Sequence, residues 1–165
     1  MQDRYNASFP SFSWICKNHS RFFAFGFGSG LIRPGSGTWG TLMAWLLWFS
    51  FLRYFDNLTM GCLLVIGFFY GCWVCQSMEI ELNTNDHVGI VFDEIVSFVF
   101  ILWVLKGSFL IELLSFIIFR FFDIIKPPPI KYVDRVFKSG FGVMLDDLMA
   151  AIYTIAVVLL INKIM

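Results

Sequence analysis

Leu58-Thr59-Met60-Gly61-Cys62-Leu63-Leu64-Val65-Ile66-Gly67-Phe68-Phe69-Tyr70-Gly71-Cys72-Trp73-Val74-Cys75-Gln76-Ser77-Met78 contains no charged side chain. A helix crosses the hydrocarbon core of a bilayer with about 20 predominantly apolar residues, and this stretch is long enough. Its Gly67 and Gly71 form a G-x-x-x-G pair, which lets another helix approach closely. The rest of the chain has the same character. Of 165 residues, 58% are hydrophobic and 15% charged, with 21 Phe and 6 Trp. Soluble domains run at roughly 45–50% and about 25%. A soluble chain of this size has too much surface for its volume to hide so many large apolar groups. Lipid-facing surface resolves the conflict, so the sequence reads as an integral membrane protein.

Further apolar stretches lie at 41–55, 91–105, 108–125 and 144–164. Several fall short of the roughly 20 residues that crossing needs, so some are expected to cross only partly or to thin the bilayer. The fold class is all-α: a compact multi-helix membrane bundle with four to five hydrophobic spans. Asp56-Asn57 and Lys106-Gly107 are short turns between spans, and Lys126-Pro127-Pro128-Pro129 stops a helix because proline cannot continue it. Gly26-Phe27-Gly28-Ser29-Gly30 and Arg33-Pro34-Gly35-Ser36-Gly37-Thr38-Trp39-Gly40 are too glycine-rich for regular helix, and the second reads as an ordered loop. Residues 79–87 read as a polar, acidic loop, and 130–142 as a basic, partly amphipathic segment. Residues 1–20 form a polar N-terminal segment without an apolar stretch and cleavage site, leaving 21–165 as one helical domain.

Net charge is formally zero, so bulk electrostatics do not point to nucleic acid. Cys72 and Cys75 form a C-x-x-C pair inside an apolar run without His or acidic ligands nearby. They read as packing residues rather than a metal or redox site.

With a cytoplasmic N-terminus, Arg4, Lys17, Arg21, Arg33, Arg120, Lys126, Lys131, Arg135 and Lys138 fall on one side and Arg53, Lys106 and Lys163 on the other. This bias satisfies the positive-inside rule. It also brings the glycine-rich loop, Asp86-His87, Asp93-Glu94, the 120–138 segment and Asp146-Asp147 to the cytoplasmic face, as one active centre requires.

On a helix over 108–125, Glu112, Ser115, Phe119 or Arg120, and Asp123 share a face. Ionisable groups at that depth are costly unless paired or turned to a wet cavity, so the stripe must look inward. A buried Arg–Asp pair that merely fastens the bundle is the plain alternative. Asp93-Glu94 and Asp146-Asp147 each open an apolar helix, where negative charge complements the helix dipole. Two such pairs at one face, with Asp123 at a third helix end, are most simply relieved of repulsion by a divalent cation. Oxygen-only ligands favour Mg²⁺ over zinc or copper. Arg120 can grip a phosphate through two parallel hydrogen bonds. The loop from Pro34 to Thr38 could add backbone donors to the same anion, although a plain surface turn fits its composition equally well. It lacks the nucleotide-binding P-loop pattern.

Several phosphatase chemistries are unsupported. Only His19 and His87 are present, no C-x-x-x-x-x-R segment occurs, and D-x-D-x-T/V is missing. Metal-assisted attack of water on a phosphate ester remains, with a spare carboxylate or His87 as general base. A small transporter or channel bundle would place charges at several depths, whereas only Glu112 lies deep. A transferase using a nucleotide-activated lipid would need a D-G-x-x-A-R helix motif, which is absent.

The segments Gly26-Phe27-Gly28-Ser29-Gly30-Leu31, Pro34-Gly35, Thr38-Trp39-Gly40, Asp86-His87 and Ile90-Val91-Phe92-Asp93-Glu94 occur in order. They are followed by Phe119-Arg120-Phe121-Phe122-Asp123-Ile124-Ile125-Lys126-Pro127, Pro129-Ile130, Asp134-Arg135 and Gly140 through Ala150. In this set the chain resembles the phosphatidylglycerophosphatase A family, Mg²⁺-dependent lipid phosphatases of the bacterial inner membrane. The resemblance implies hydrolysis of phosphatidylglycerophosphate to phosphatidylglycerol and inorganic phosphate, at a site facing the cytoplasm. Asp93, Glu94, Arg120, Asp123, Lys126, Asp134, Asp146 and Asp147 occupy its motif positions. The expected roles are metal ligation by Asp93, Glu94, Asp146 and Asp147, and substrate binding by Arg120, Lys126, Arg33 and Thr38. Asp123, Asp134 and His87 are the expected catalytic groups. Phosphatases of other lipid phosphates are the neighbouring alternative.

Overall fold

A computed structural model describes residues 9–84 and 87–164; Asp86 lies outside them. Among the described residues every regular element is a helix. Two short N-terminal helices, α1 (Phe12–Cys16) and α2 (His19–Ala24), are capped by Ser11 and Asn18, whose side chains accept from backbone N–H groups. They occupy part of the stretch that reads as a polar N-terminal segment. A 3₁₀ turn over Gly26–Leu31 leads to α3 (Ser36–Ser50).

Helix α3 starts earlier than the glycine content implies. Gly35, left-handed at φ 76°, turns the chain into it, and Ser36 to Gly40 are helical rather than loop. Each glycine costs a helix about 1 kcal/mol relative to alanine. Close packing of Gly37 and Gly40 against neighbouring side chains offsets that cost.

Helix α4 (Asn57–Leu82) begins at Asp56, whose carboxylate accepts from the Thr59 hydroxyl at 2.6 Å and the Thr59 N–H at 3.0 Å. Both bonds favour the ionised form, the hydroxyl's more strongly, and hold this exposed carboxyl below its usual range. The helix continues past Met78 through Glu79, Ile80 and Glu81, which the sequence assigns to a loop. Met, Ile, Glu and Leu all support a helix, and Arg21 of α2 pairs with Glu81 to hold this last turn. Helices α5 (Phe92–Leu105) and α6 (Phe109–Ile125) follow closely the expected bounds. The 130–142 segment resolves into α7 (Ile130–Val136) and the first turn of α8 (Gly140–Ile164). The latter starts where the Gly140 N–H donates to Gln76 Oε1 of α4 at 3.0 Å.

Helix α8 is the centre of the bundle, packed on α4, α5, α6 and α7, while α5 also lies between α3 and α4. One apolar cluster joins Trp45 and Trp48 of α3 to Phe98 and Leu102 of α5, Phe119 of α6 and Ala150 and Ala151 of α8. A second seats Ile15, Ala24 and Phe25 against Val74, Cys75 and Met78 of α4 and Met144 of α8. Cys75 is therefore a packing residue, as its surroundings in the sequence imply.

Successive long helices run in opposite directions. Lys106 Nζ, just after α5, donates to Asn57 Oδ1 at the start of α4 (2.6 Å), so those two ends share one pole. The N-termini of α3, α5 and α8 and the C-terminus of α6 share the other, where the ionic site forms. Two helices, α4 and α8, are long and apolar enough to cross a membrane, and their apolar windows are only 22% and 39% buried within the protein. Helices α3, α5 and α6 have 15, 14 and 17 residues. At 1.5 Å per residue they reach roughly 21–26 Å, short of the ~30 Å hydrocarbon core. Among the described residues, two full-length spans thus stand where the sequence reading has four to five.

Candidate active site

The first turn of α5 carries Asp93 and Glu94, and α8 brings Asp147 against them. Each offers a carboxylate oxygen, and the three oxygens lie within 4.8 Å of one another. Asp93 is 7% exposed and Asp147 3%. Glu94 Oε2 and Asp147 Oδ2 are buried and have no hydrogen-bond partner among the described residues. Burying like charges together is costly unless something compensates them. The N-terminal dipole of α5 supplies some compensation. A hard divalent cation would supply more, and a compact set of carboxylate oxygens is the donor chemistry it prefers. The residues present therefore fit a hard divalent cation.

Arg120, near the C-terminal end of α6, adds the opposite charge. Its Nη1 stands 2.7 Å from Asp123 Oδ2, one turn along the same helix, and 3.6 Å from Glu94 Oε1. It also donates to Thr41 Oγ1 of α3 at 3.4 Å. Arg120 Nε is buried and makes no hydrogen bond with a described residue. The stripe of Glu112, Ser115, Phe119, Arg120 and Asp123 faces inward, with the first three buried and the last two half-buried.

Gly37 forms the wall opposite. A Cβ there would fall on Glu94 Oε1 and stand 2.8 Å from Arg120 Nη2. Absence of a side chain lets the first turn of α3 approach the ion pair directly. Its carbonyl accepts from the Thr41 hydroxyl at 2.8 Å, so Thr41 links the glycine-rich turn to Arg120.

A second ionic group lies alongside. Lys126 closes α6 in the left-handed conformation (φ 45°). Its Nζ binds Asp134 Oδ1 of α7 at 3.0 Å and also pairs with Asp146 of α8. The four acids expected to ligate metal are thus divided. Asp93, Glu94 and Asp147 converge, while Asp146 turns to Lys126.

The remaining predicted residues have other surroundings. His87 is 1% exposed; its Nδ1 accepts from the Gly89 N–H at 3.0 Å, and its ring lies 5.1 Å from that of Phe9 and 5.8 Å from that of Phe25. Arg33 is exposed, with its guanidinium 3.5 Å above the Phe9 ring. Thr38 sits half-buried in the first turn of α3. Two residues outside the sequence-based set join the site's surroundings. Thr41 is one. Glu79 is the other: it is 7% exposed on α4, one helical turn beyond the buried Cys75. Its signal was the stripe Gly71, Val74, Cys75, Met78 and Glu79, which keeps helical spacing past the point where the apolar run ends.

A sequence model described as "PgpA: Phosphatidylglycerophosphatase A" matches residues 22–162. The chain is 40% identical over 146 residues to the phosphatidylglycerophosphatase A of Haemophilus influenzae, covering 88% of this chain and 90% of that protein. It is 30% identical over 148 residues to the enzyme of the same name from Escherichia coli, covering 84% and 81%. A Bacteroides thetaiotaomicron protein provisionally named a phosphatidylinositol-3-phosphatase is 34% identical over 136 residues, covering 78% and 84%. No solved structure matches the chain significantly. The matched segment runs through the whole ionic site, from the glycine-rich turn to Asp147, and the chain belongs to the phosphatidylglycerophosphatase A family.

Proposed function

We propose that this protein is a lipid phosphatase that hydrolyses phosphatidylglycerophosphate to phosphatidylglycerol and inorganic phosphate. The carrying observation is the convergence of Asp93, Glu94 and Asp147 within 4.8 Å, beside Arg120. The names of the relatives supply the substrate. Asp93, Glu94 and Asp147 are the residues that would hold Mg²⁺, which when bound neutralises phosphoryl oxygens and activates water.

The chain's own groups do the rest. Arg120 holds the phosphate through its planar fork of N–H donors, and Asp123 positions that fork from one turn away. Water forms the new bond to phosphorus as the bond to the glycerol oxygen breaks. Asp123 takes the proton released by the attacking water and returns it to the departing alkoxide, which leaves as phosphatidylglycerol. Lys126 binds phosphate oxygens from the α6–α7 corner, positioned by Asp134 and Asp146. In this assignment Asp146 supports the site through Lys126 rather than as a ligand, and it reaches the cation only by releasing that lysine. Arg33 and Thr38, flanking Gly35, contact the remainder of the headgroup, and the close packing of His87 gives it a positioning role in the loop before α5.

The helical domain, with α1 and α2 docked against α4, lies in the bacterial inner membrane, with α4 and α8 crossing it. The shorter apolar helices α3, α5 and α6 insert beside them, making five membrane segments in all. The ionic pole faces the cytoplasm, where positive charge concentrates.

Purified protein in detergent micelles should release phosphate from phosphatidylglycerophosphate when Mg²⁺ is present and stop when it is chelated. A phosphatidylinositol 3-phosphate arm tests headgroup choice. Undiminished turnover by Asp93→Asn and Asp147→Asn variants would remove the assignment.

A further inference from the structure

The short helix α7 stands at the ionic pole with two exposed rows that the hydrolytic site does not use. Ile130 is buried, and Val133 and Asp134 are half-buried, so this inner row faces the bundle. Lys131 and Arg135, four residues apart, form an exposed row, and Lys138 continues the positive charge just beyond the helix. Tyr132 and Val136, again four apart, are 67% and 52% exposed, followed by Phe137 at 44%. None of Lys131, Arg135 and Lys138 makes an ion pair with a described residue. Asp134, the one acid between Lys126 and Lys138, is occupied with Lys126.

An exposed apolar row beside an exposed basic row suits a helix lying in the headgroup layer. Apolar side chains enter the acyl boundary and the basic ones meet anionic lipid. We propose that α7 is a docking surface for anionic phospholipids of the surrounding leaflet, separate from the substrate in the hydrolytic site, and that docking steadies that site. The link is short. Asp134 on the inner row holds Lys126, Lys126 also holds Asp146, and Asp146 precedes Asp147 of the carboxylate cluster. Because phosphatidylglycerol is anionic, the product would itself strengthen the docking. The inference rests on the membrane placement proposed above but does not require catalysis.

The full chain is reconstituted in nanodiscs of phosphatidylcholine alone and of phosphatidylcholine mixed with phosphatidylglycerol. Hydrogen exchange is followed in the peptide covering 130–138. Exchange should slow in the anionic discs, and high salt should erase the difference. Each basic side chain near an anionic surface contributes roughly a fivefold preference. A Lys131→Gln/Lys138→Gln variant should therefore lose most of the protection while keeping the fold, since both residues are exposed. Phosphate release by the wild type should show a lower KM at higher phosphatidylglycerol content, and the variant should not. Equal protection of 130–138 in both disc types, or full protection in the variant, overturns the docking surface. Protection without any phosphate release would leave α7 docking in place and count against the lipid phosphatase reading instead.

Discussion

Asp146 and Asp147 are adjacent on α8, yet they serve different ionic groups. Asp146 pairs with Lys126 and Asp147 joins Asp93 and Glu94. A helix turns about 100° per residue, so the two side chains leave the α8 axis in different directions, one towards Lys126 and the other towards Asp93 and Glu94. Replacing each in turn should separate the roles. Asp147→Asn removes a charge from the carboxylate cluster and should cut turnover by roughly 10²–10³-fold, the scale of losing one preorganised electrostatic group. It should also abolish stabilisation of the fold by Mg²⁺ in thermal unfolding. Asp146→Asn should cost roughly 10–100-fold, as supporting residues do, and keep the Mg²⁺-dependent thermal shift. Equal effects in both assays would contradict the division.

Gly37 and Gly40 provide a paired test of the α3 wall. A Cβ at Gly37 would meet Glu94 and Arg120, whereas one at Gly40 would meet Val91 at 2.6 Å. Overpacking typically costs about 1–3 kcal/mol, so both alanine variants should melt earlier by similar amounts. Only Gly37→Ala displaces charged groups of the site. Its kcat should fall well below that of Gly40→Ala when both are assayed under conditions where they remain folded.

Arg120→Lys keeps the charge and removes the fork. Nη1 alone faces Asp123, Glu94 and Thr41, and the buried Nε has no hydrogen-bond partner among the described residues. A lysine ammonium could keep the first set but could not also offer the second edge of the fork to a phosphate. One hydrogen bond to a charged group contributes about 1.5–3 kcal/mol. The expected loss is therefore roughly 10–100-fold in kcat/KM, read from phosphate release across substrate concentrations.

The apolar runs and charged helix ends made the fold class and the polar face of the bundle readable from sequence. Asp93, Glu94, Arg120, Asp123 and Asp147 were within reach of that reading because each lies near the end of a strongly apolar helix. Three features were not. The helical state of Ser36 to Gly40 was hidden because intrinsic propensity disfavours glycine in helices, and only tertiary packing against Glu94 and Val91 supplies the compensation. Glu79 was hidden by an apparent helix end at Met78, since charge in an apolar run looks like a boundary until burial is known. The separation of Asp146 from Asp147 depends on the rotation of α8 about its axis, which its neighbours α6 and α7 set through Lys126 and Asp134.

At the opposite end of the α3–α6 contact, Trp45 Nε1 donates to Glu112 Oε2 at 2.7 Å, within a cage of aromatic rings that includes Phe98, Phe109 and Phe116. Glu112 is 7% exposed, so its polarity is costly without that donor. Trp45→Phe deletes the donor and leaves the acid in place, which should destabilise the protein by about 1–3 kcal/mol. Adding Glu112→Leu removes the stranded acceptor, and replacing both partners by apolar groups is nearly neutral when shape is kept. The double variant should therefore be more stable than Trp45→Phe alone, a coupling that a double-mutant cycle in thermal unfolding measures directly. Phosphate release by the double variant should stay close to that of the wild type. If Glu112 instead belonged to a path for ions through the bundle, its removal would change flux in liposomes whatever its effect on stability. A fastening role predicts the reverse: stability moves and activity does not.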